Sequence, residues 1–176
     1  MNGELAIDNT PGEGTTVYLT LPFKIPRKKY IDQEQSSQDM EYISNTSPCI
    51  LLVEDDEINL ITGKRILEKS GWTVFTAVNG LEAVDMLDKN EFDVILMDIQ
   101  MPVLDGVEAT KIIRESATLG PKSKIPIIAM TSYAMAGDKE KFLASGMNGY
   151  ISKPVDIVVL KNTIAEILKK AASEDH

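Results

Sequence analysis

Residues 50–56 have the sequence ILLVEDD, a continuous apolar run that ends in three acids. An apolar run without alternation is typical of a β-strand that is covered on both faces, as in a parallel sheet. Two further runs of this kind are Val94 to Met97 and Ile127 to Met130. We therefore expect a sheet whose central strands lie buried between layers of helices.

The region from 48 to 172 continues this pattern, because short apolar runs alternate with amphipathic stretches. The strand candidates are Ile50 to Val53, Thr73 to Thr76, Val94 to Met97, Ile127 to Met130 and Gly149 to Ser152. The helix candidates are residues 57–69, 80–89, 105–116, 136–145 and 156–171. Strands and helices that alternate in this way predict an α/β domain with an open parallel sheet and helices on both faces.

The segments on either side have a different character. Residues 1–24 predict a β-hairpin, because apolar and polar residues alternate in Glu4 to Asp8 and Thr15 to Phe23 around a Pro/Gly turn. Residues 25–47 lose this periodicity and read as a polar linker, and residues 173–176 form a charged tail.

Composition excludes several function classes. The chain has 27 acidic and 18 basic residues, a formal net charge of −9, so we expect no nucleic-acid partner and no membrane contact. The single cysteine fits a cytoplasmic location. The only histidine is the last residue, His176, which argues against any mechanism that needs an internal histidine.

Reactive side chains follow four of the predicted strands. The three acids Glu54, Asp55 and Asp56 follow the first strand, and Asp98 follows the third; Thr131 and Ser132 end the fourth, and Lys153 and Pro154 follow the fifth. In open parallel sheets the ligand site lies at the carboxyl ends of the strands, so these side chains are expected to converge.

This set of residues suits phosphoryl chemistry. Carboxylates about 5 Å apart repel each other by about 3 kcal/mol at an effective dielectric near 20, so either one is protonated or a cation joins them. Mg²⁺ is a hard cation that accepts carboxylates and leaves room for a phosphate oxygen. A carboxylate beside it can act as the nucleophile, while a lysine and a hydroxyl neutralise the transferring group.

Four motifs carry a resemblance to a known family. They are residues 50–59 (ILLVEDDEIN), 98–106 (DIQMPVLDG), 129–132 (AMTS) and 149–154 (GYISKP). Their order and spacing over residues 49–172 resemble a bacterial-type response-regulator receiver domain. The resemblance implies a flavodoxin-like, doubly wound five-stranded parallel sheet of order 2-1-3-4-5.

The resemblance also implies the role of each residue. Asp98 would be the phosphoacceptor, and Glu54, Asp55, Asp98 and the backbone carbonyl of Gln100 would bind Mg²⁺. Thr131 would be the switch hydroxyl, Tyr150 the switch aromatic and Lys153 the partner of the phosphate, with a cis bond to Pro154. The module would catalyse its own phosphorylation and dephosphorylation and switch the face of its fourth helix, fifth strand and fifth helix.

The N-terminal hairpin resembles the last strands of a histidine-kinase ATP-binding domain, over residues 1–24. The nucleotide-binding boxes and the phosphorylated histidine are absent from the sequence, so we expect no kinase activity from this chain. Together the two resemblances imply the C-terminal receiver of a hybrid sensor histidine kinase. The expected partner is a histidine kinase or a histidine phosphotransfer protein, and a homodimer is a further expectation.

Two alternative functions stay open. A magnesium-dependent phosphatase with an aspartyl nucleophile would usually carry a second aspartate two residues later, where this chain has Gln100. A receiver-like interaction module that is never phosphorylated would not need Glu54, Asp55, Asp98, Thr131 and Lys153 together.

Overall fold

The computed structural model describes residues 4–10, 14–20, 47–132 and 138–174. The chain divides into two compact units, residues 1–32 and 33–176. The predicted turn residues 11–13, the end of the second predicted strand at 21–23 and the predicted linker up to residue 46 lie outside the described residues. So do the start of the fourth predicted helix, at 136 and 137, and the last two residues of the predicted tail.

The first unit contains the two strands of the predicted hairpin. Strand β1 (Glu4–Thr10) pairs with β2 (Gly14–Thr20) in antiparallel register, with Leu5 opposite Leu19. Strand β1 extends two residues beyond the predicted end at Asp8. The alternation of apolar and polar residues therefore identified both strands.

The second unit contains a five-stranded parallel sheet. Its strands are β3 (Cys49–Val53), β4 (Thr73–Ala77), β5 (Val94–Asp98), β6 (Ile127–Thr131) and β7 (Gly149–Ser152). The order across the sheet is β4-β3-β5-β6-β7, which confirms the predicted order 2-1-3-4-5 within this unit.

Five α-helices connect or follow these strands. They are α1 (Glu57–Glu68), α2 (Gly80–Lys89), α3 (Gly106–Glu115), α4 (Asp138–Ala144) and α5 (Ile157–Glu174). The last helix runs three residues past its predicted end at 171 and enters the segment predicted as a tail. A short 3₁₀ helix (Gly120–Lys124) was not predicted. Among the described residues, no helix has the length and apolar character that a membrane crossing would require.

Burial explains why the central strands read as continuous apolar runs. Every residue of β5 and β6 is buried, because both faces of these strands are covered. Ile95 and Met97 contribute to the core cluster on one side of the sheet, whereas Val94 and Leu96 contribute to the cluster on the other. The edge strand β4 is only partly buried.

The start of α3 fits closely against the end of β5. A Cβ atom on Gly106 would lie 2.1 Å from the backbone oxygen of Asp98, so only glycine fits there without a shift of the backbone. The N–H of Gly106 donates a hydrogen bond to the carbonyl of Ile99 (3.1 Å). Asp105 caps the helix by accepting a hydrogen bond from the N–H of Glu108 (2.9 Å). These contacts hold the backbone that carries Asp98.

Candidate functional site

Three carboxylates meet at the carboxyl edge of the sheet. Strands β3 and β5 are paired neighbours, with Val53 opposite Met97, so the residues that follow these two positions come together. Oxygen atoms of Glu54, Asp55 and Asp98 all lie within 4.8 Å of one another. Glu54 and Asp98 are only 4% and 6% exposed, whereas Asp55 is exposed. The convergence expected for the residues after the first and third predicted strands is therefore present.

Lys153 lies between the two buried carboxylates. Its Nζ donates a hydrogen bond to Glu54 Oε2 (2.6 Å) and another to Asp98 Oδ2 (2.7 Å). Burial alone would lower the pKa of Lys153, but the hydrogen bonds and charges of Asp98 and Glu54 outweigh it, and the pKa is raised. Lys153 is therefore a firmly charged ammonium that partly neutralises the cluster.

Two further contacts hold the buried carboxylates in place. The side-chain amide of Asn59 donates a hydrogen bond to Glu54 Oε1 (3.1 Å), and the N–H of Gln100 reaches Asp98 Oδ1 at 3.4 Å. Asn59 was part of a quoted motif, but no role was predicted for it. Its contact with Glu54 could have been predicted, because Asn59 is a polar residue in the first turn of the helix that begins beside the acids.

The third acid of the run, Asp56, has a different task. Its carboxylate accepts a hydrogen bond from the N–H of Asn59 (2.8 Å) and caps the N-terminus of α1. The acids at 54 and 55 thus contribute to the cluster, while the acid at 56 starts the helix. The role of Glu54 and Asp55 as the metal pair stays a prediction.

The remaining predicted residues lie on β6 and β7. Thr131 is 4% exposed at the end of β6, and its carbonyl accepts a hydrogen bond from the N–H of Lys153 (2.7 Å). Tyr150 lies opposite Ala129 and is 38% exposed. The peptide bond between Lys153 and Pro154 is cis, as predicted.

The donor atoms of the cluster fit a hard divalent cation. All three side chains offer oxygen, and they place like charges close together in a partly buried site. Mg²⁺ prefers such oxygen ligands and needs only one or two carboxylates from a protein. The metal role of the Gln100 carbonyl stays a prediction.

The loop after Asp98 contains a strained residue. Val103 has a φ of 69°, in the left-handed region that β-branched residues rarely adopt, and the N–H of Leu104 donates to the carbonyl of Pro102 across it (2.8 Å). Val103 is also 79% exposed, so packing within this chain does not offset the strain. Sequence patterns gave no signal for this turn, because valine is a poor turn residue.

The fold and the site define a class of protein: an α/β domain with an acidic, lysine-bridged pocket at the edge of a parallel sheet. Residues 50–165 match the family model described as "Response regulator receiver domain". The chain belongs to this family, and it contains a receiver domain of two-component signalling.

Three similar proteins illustrate this membership. The sensor protein EvgS of Escherichia coli is 31% identical over 95% of this chain, although the chain spans only 13% of that protein. The receiver domain of sensor histidine kinase PA1611 from Pseudomonas aeruginosa, solved with magnesium in its active site cleft, is 35% identical. The alignment covers 70% of this chain and 99% of that one, with a TM-score of 0.63.

The third is the receiver domain of the Saccharomyces cerevisiae response regulator Ssk1, solved together with the histidine phosphotransfer protein Ypd1. That match is 35% identical, covers 72% of this chain and 94% of that one, and has a TM-score of 0.65. The chain spans less than a fifth of the length of the first sensor kinases that it matches.

Replacing Val103 by Asn should stabilise the domain. Asparagine tolerates the left-handed conformation better than a β-branched residue, and no packing is lost at an exposed position, so the free energy of unfolding should rise by about 1 kcal/mol. Urea denaturation measures this change. The control is Val78→Asn, another exposed valine but without a positive φ. A loss of stability in Val103→Asn as large as in the control would contradict the strain.

Proposed function

We propose that Asp98 accepts a phosphoryl group from a phosphohistidine in a magnesium-dependent reaction. The observation that carries this proposal is the position of the Asp98 carboxylate. It lies 2.7 Å from the Lys153 ammonium and within 4.8 Å of the oxygens of Glu54 and Asp55. A carboxylate held beside an ammonium and two further carboxylates that can bind a metal ion is placed to act as the nucleophile on phosphorus.

The transfer forms one bond and breaks another. An oxygen of Asp98 attacks phosphorus, the bond between phosphorus and the imidazole nitrogen breaks, and the imidazole leaves with the bonding electron pair. Lys153 compensates the charge on one phosphoryl oxygen, and the hydroxyl of Thr131 donates a hydrogen bond to another. Attack by water on phosphorus later releases inorganic phosphate and restores the Asp98 carboxylate, which is the autodephosphorylation step.

Mg²⁺ would be held by Glu54, Asp55 and Asp98, with the backbone carbonyl of Gln100. When bound, the ion supplies positive charge for the phosphoryl oxygens and relieves the repulsion among the three carboxylates. The magnesium in the active site cleft of the Pseudomonas aeruginosa receiver supports this assignment.

Phosphorylation would act as a switch through Thr131. The carbonyl of this residue accepts a hydrogen bond from the N–H of Lys153, which directly follows β7. A shift of Thr131 toward the phosphoryl group would therefore displace the end of β7, the strand that carries the half-exposed Tyr150. The face formed by α4, β7 and α5 would then change between two arrangements.

The donor would be a histidine phosphotransfer protein or a histidine kinase. The co-crystal structure of Ypd1 with the receiver of Ssk1 supports a partner of this class. We propose a hybrid sensor kinase as the parent, with residues 1–24 as the end of its ATP-binding domain. The match to EvgS supports this parent, since it covers 95% of the chain and so includes residues before the receiver. A cytoplasmic location and a homodimer stay predictions.

The two alternatives are less well supported. The amide side chain of Gln100 has no acidic proton for the leaving group that a phosphatase would need to protonate. A module used only for binding would gain little from two buried carboxylates and an ammonium, because the desolvation of such groups is costly.

Incubation with acetyl phosphate and Mg²⁺ should add one phosphoryl group, detected by intact-mass spectrometry. Asp98→Asn should abolish the gain, and chelation should prevent it. Asp56→Asn is the matched control, since asparagine also caps helices and Asp56 lies outside the carboxylate cluster. An unmodified wild-type mass would overturn the proposal and leave the binding-only module.

Removing one metal ligand should weaken Mg²⁺ binding selectively. Asp55→Asn takes a charged oxygen from the cluster, so we expect the dissociation constant to rise roughly tenfold or more in calorimetric titrations. Asp56→Asn should change it by less than about threefold, because an exposed neighbouring charge is screened. Equal losses in the two variants would argue against the proposed ligand set.

A further inference from the structure

A cleft of about 590 Å³ lies between α1 and α5, directly beside the acidic cluster. Its lining includes Leu52, Leu96 and Met130 from the ends of three strands, with Ile66 and Leu160 from the two helices. Volume and lining fall in the range of small-molecule sites, which are concave, mainly apolar and have a few polar groups.

Gly63 lies within α1 and also lines the cleft. Glycine inside a helix is unfavourable by about 1 kcal/mol relative to alanine, so its presence there needs a reason. A Cβ atom at this position would lie 3.1 Å from Leu52 Cδ2. The missing side chain lets α1 approach the strand and leaves space in the wall of the cleft.

One end of the cleft is polar. Glu54, Asn59 and Lys153 hydrogen-bond to one another there, and Ser132 also belongs to the lining. Among the described residues, Lys153 uses two of its three N–H groups on Glu54 and Asp98, and Asn59 uses one of its two amide N–H groups on Glu54. The remaining donors are suited to a hydrogen-bond acceptor.

The charges at this end decide what kind of acceptor fits. Three carboxylates face one ammonium, which disfavours an anionic head group. A divalent cation among the carboxylates would cancel the remaining negative charge, so a cationic head group would gain no electrostatic attraction once the metal ion is bound. A neutral carbonyl or hydroxyl can accept a hydrogen bond both with and without the bound metal ion.

We propose that this cleft binds a neutral amphipathic molecule whose acceptor group faces Lys153 and Asn59 and whose apolar body lies between α1 and α5. The bound molecule holds Lys153 on Glu54 and Asp98 and thereby slows phosphoryl acceptance. This regulatory part rests on the proposed function, whereas the binding part does not.

The binding part is tested with prodan, an uncharged naphthalene that carries one ketone. Its fluorescence should report saturable binding of one molecule per chain. Thr62→Phe places a ring in the lining and should weaken binding roughly tenfold. Ile61→Phe is the control, because the neighbouring residue is exposed but does not line the cleft. Equal affinity of wild type and Thr62→Phe would overturn the proposal.

Amide chemical shifts provide a test that needs no variant. Prodan should shift the amides of residues 62–67 and 155–160, which border the cleft, and shifts confined to α2 and α3 would contradict the site. The sulfonate 1-anilinonaphthalene-8-sulfonate should bind these residues more weakly than prodan, and tighter binding would overturn the neutral head group.

The regulatory part is tested by the rate of phosphorylation with acetyl phosphate and Mg²⁺. Saturating prodan should slow the wild type several-fold and leave Thr62→Phe unaffected, while an unchanged wild-type rate would overturn regulation. If no phosphoryl group is accepted even without prodan, the proposed function and the regulatory part both fail. The fluorescence and chemical-shift results then still decide whether the cleft binds a ligand.

Discussion

The receiver site depends on one ion-paired ammonium. Glu54 and Asp98 are buried next to each other, and two unpaired carboxylates in such a place would be strongly destabilising. Lys153 makes this arrangement tolerable, because its Nζ lies 2.6 Å from one carboxylate and 2.7 Å from the other. The three residues follow or end three different strands, so the same contacts tie β3, β5 and β7 together at their carboxyl ends. Lys153 therefore both stabilises the fold and belongs to the proposed phosphoryl-accepting site.

The position of Lys153 also connects the acidic cluster with the cleft between α1 and α5. Its ammonium contacts the carboxylates on one side, and the residue belongs to the lining of the cleft on the other. In the proposed reaction the ammonium must turn from the carboxylates toward a phosphoryl oxygen. Anything that restrains it in its present position would slow that step. This is the physical link between the proposed ligand site and phosphoryl acceptance.

Sequence patterns were most informative where burial dictates composition. The runs that became β3, β5 and β6 are apolar because both faces of these strands are covered, and the residues after them converge because parallel strands end at one edge. The resemblance to receiver domains favoured Glu54 and Asp55 as the metal pair, but apolar and polar patterning alone could not separate the acids at 54–56, since their division depends on where α1 begins and on Asp56 as its cap. The double contact of Lys153 is a tertiary feature without a local signal, and the turn at Val103 is local but contains no typical turn residue at its centre.

We propose that Asp98, Lys153 and the neighbouring acids form one phosphoryl-accepting site. A crystal structure of the chain grown with Mg²⁺ and beryllium fluoride, which mimics a phosphoryl group on a carboxylate, tests this most directly. We expect the beryllium on an oxygen of Asp98, the metal ion on Glu54 and Asp55, and the Lys153 ammonium moved onto a fluorine. Beryllium fluoride on a different residue, or a Lys153 that stays on Glu54 beside an occupied Asp98, would contradict it.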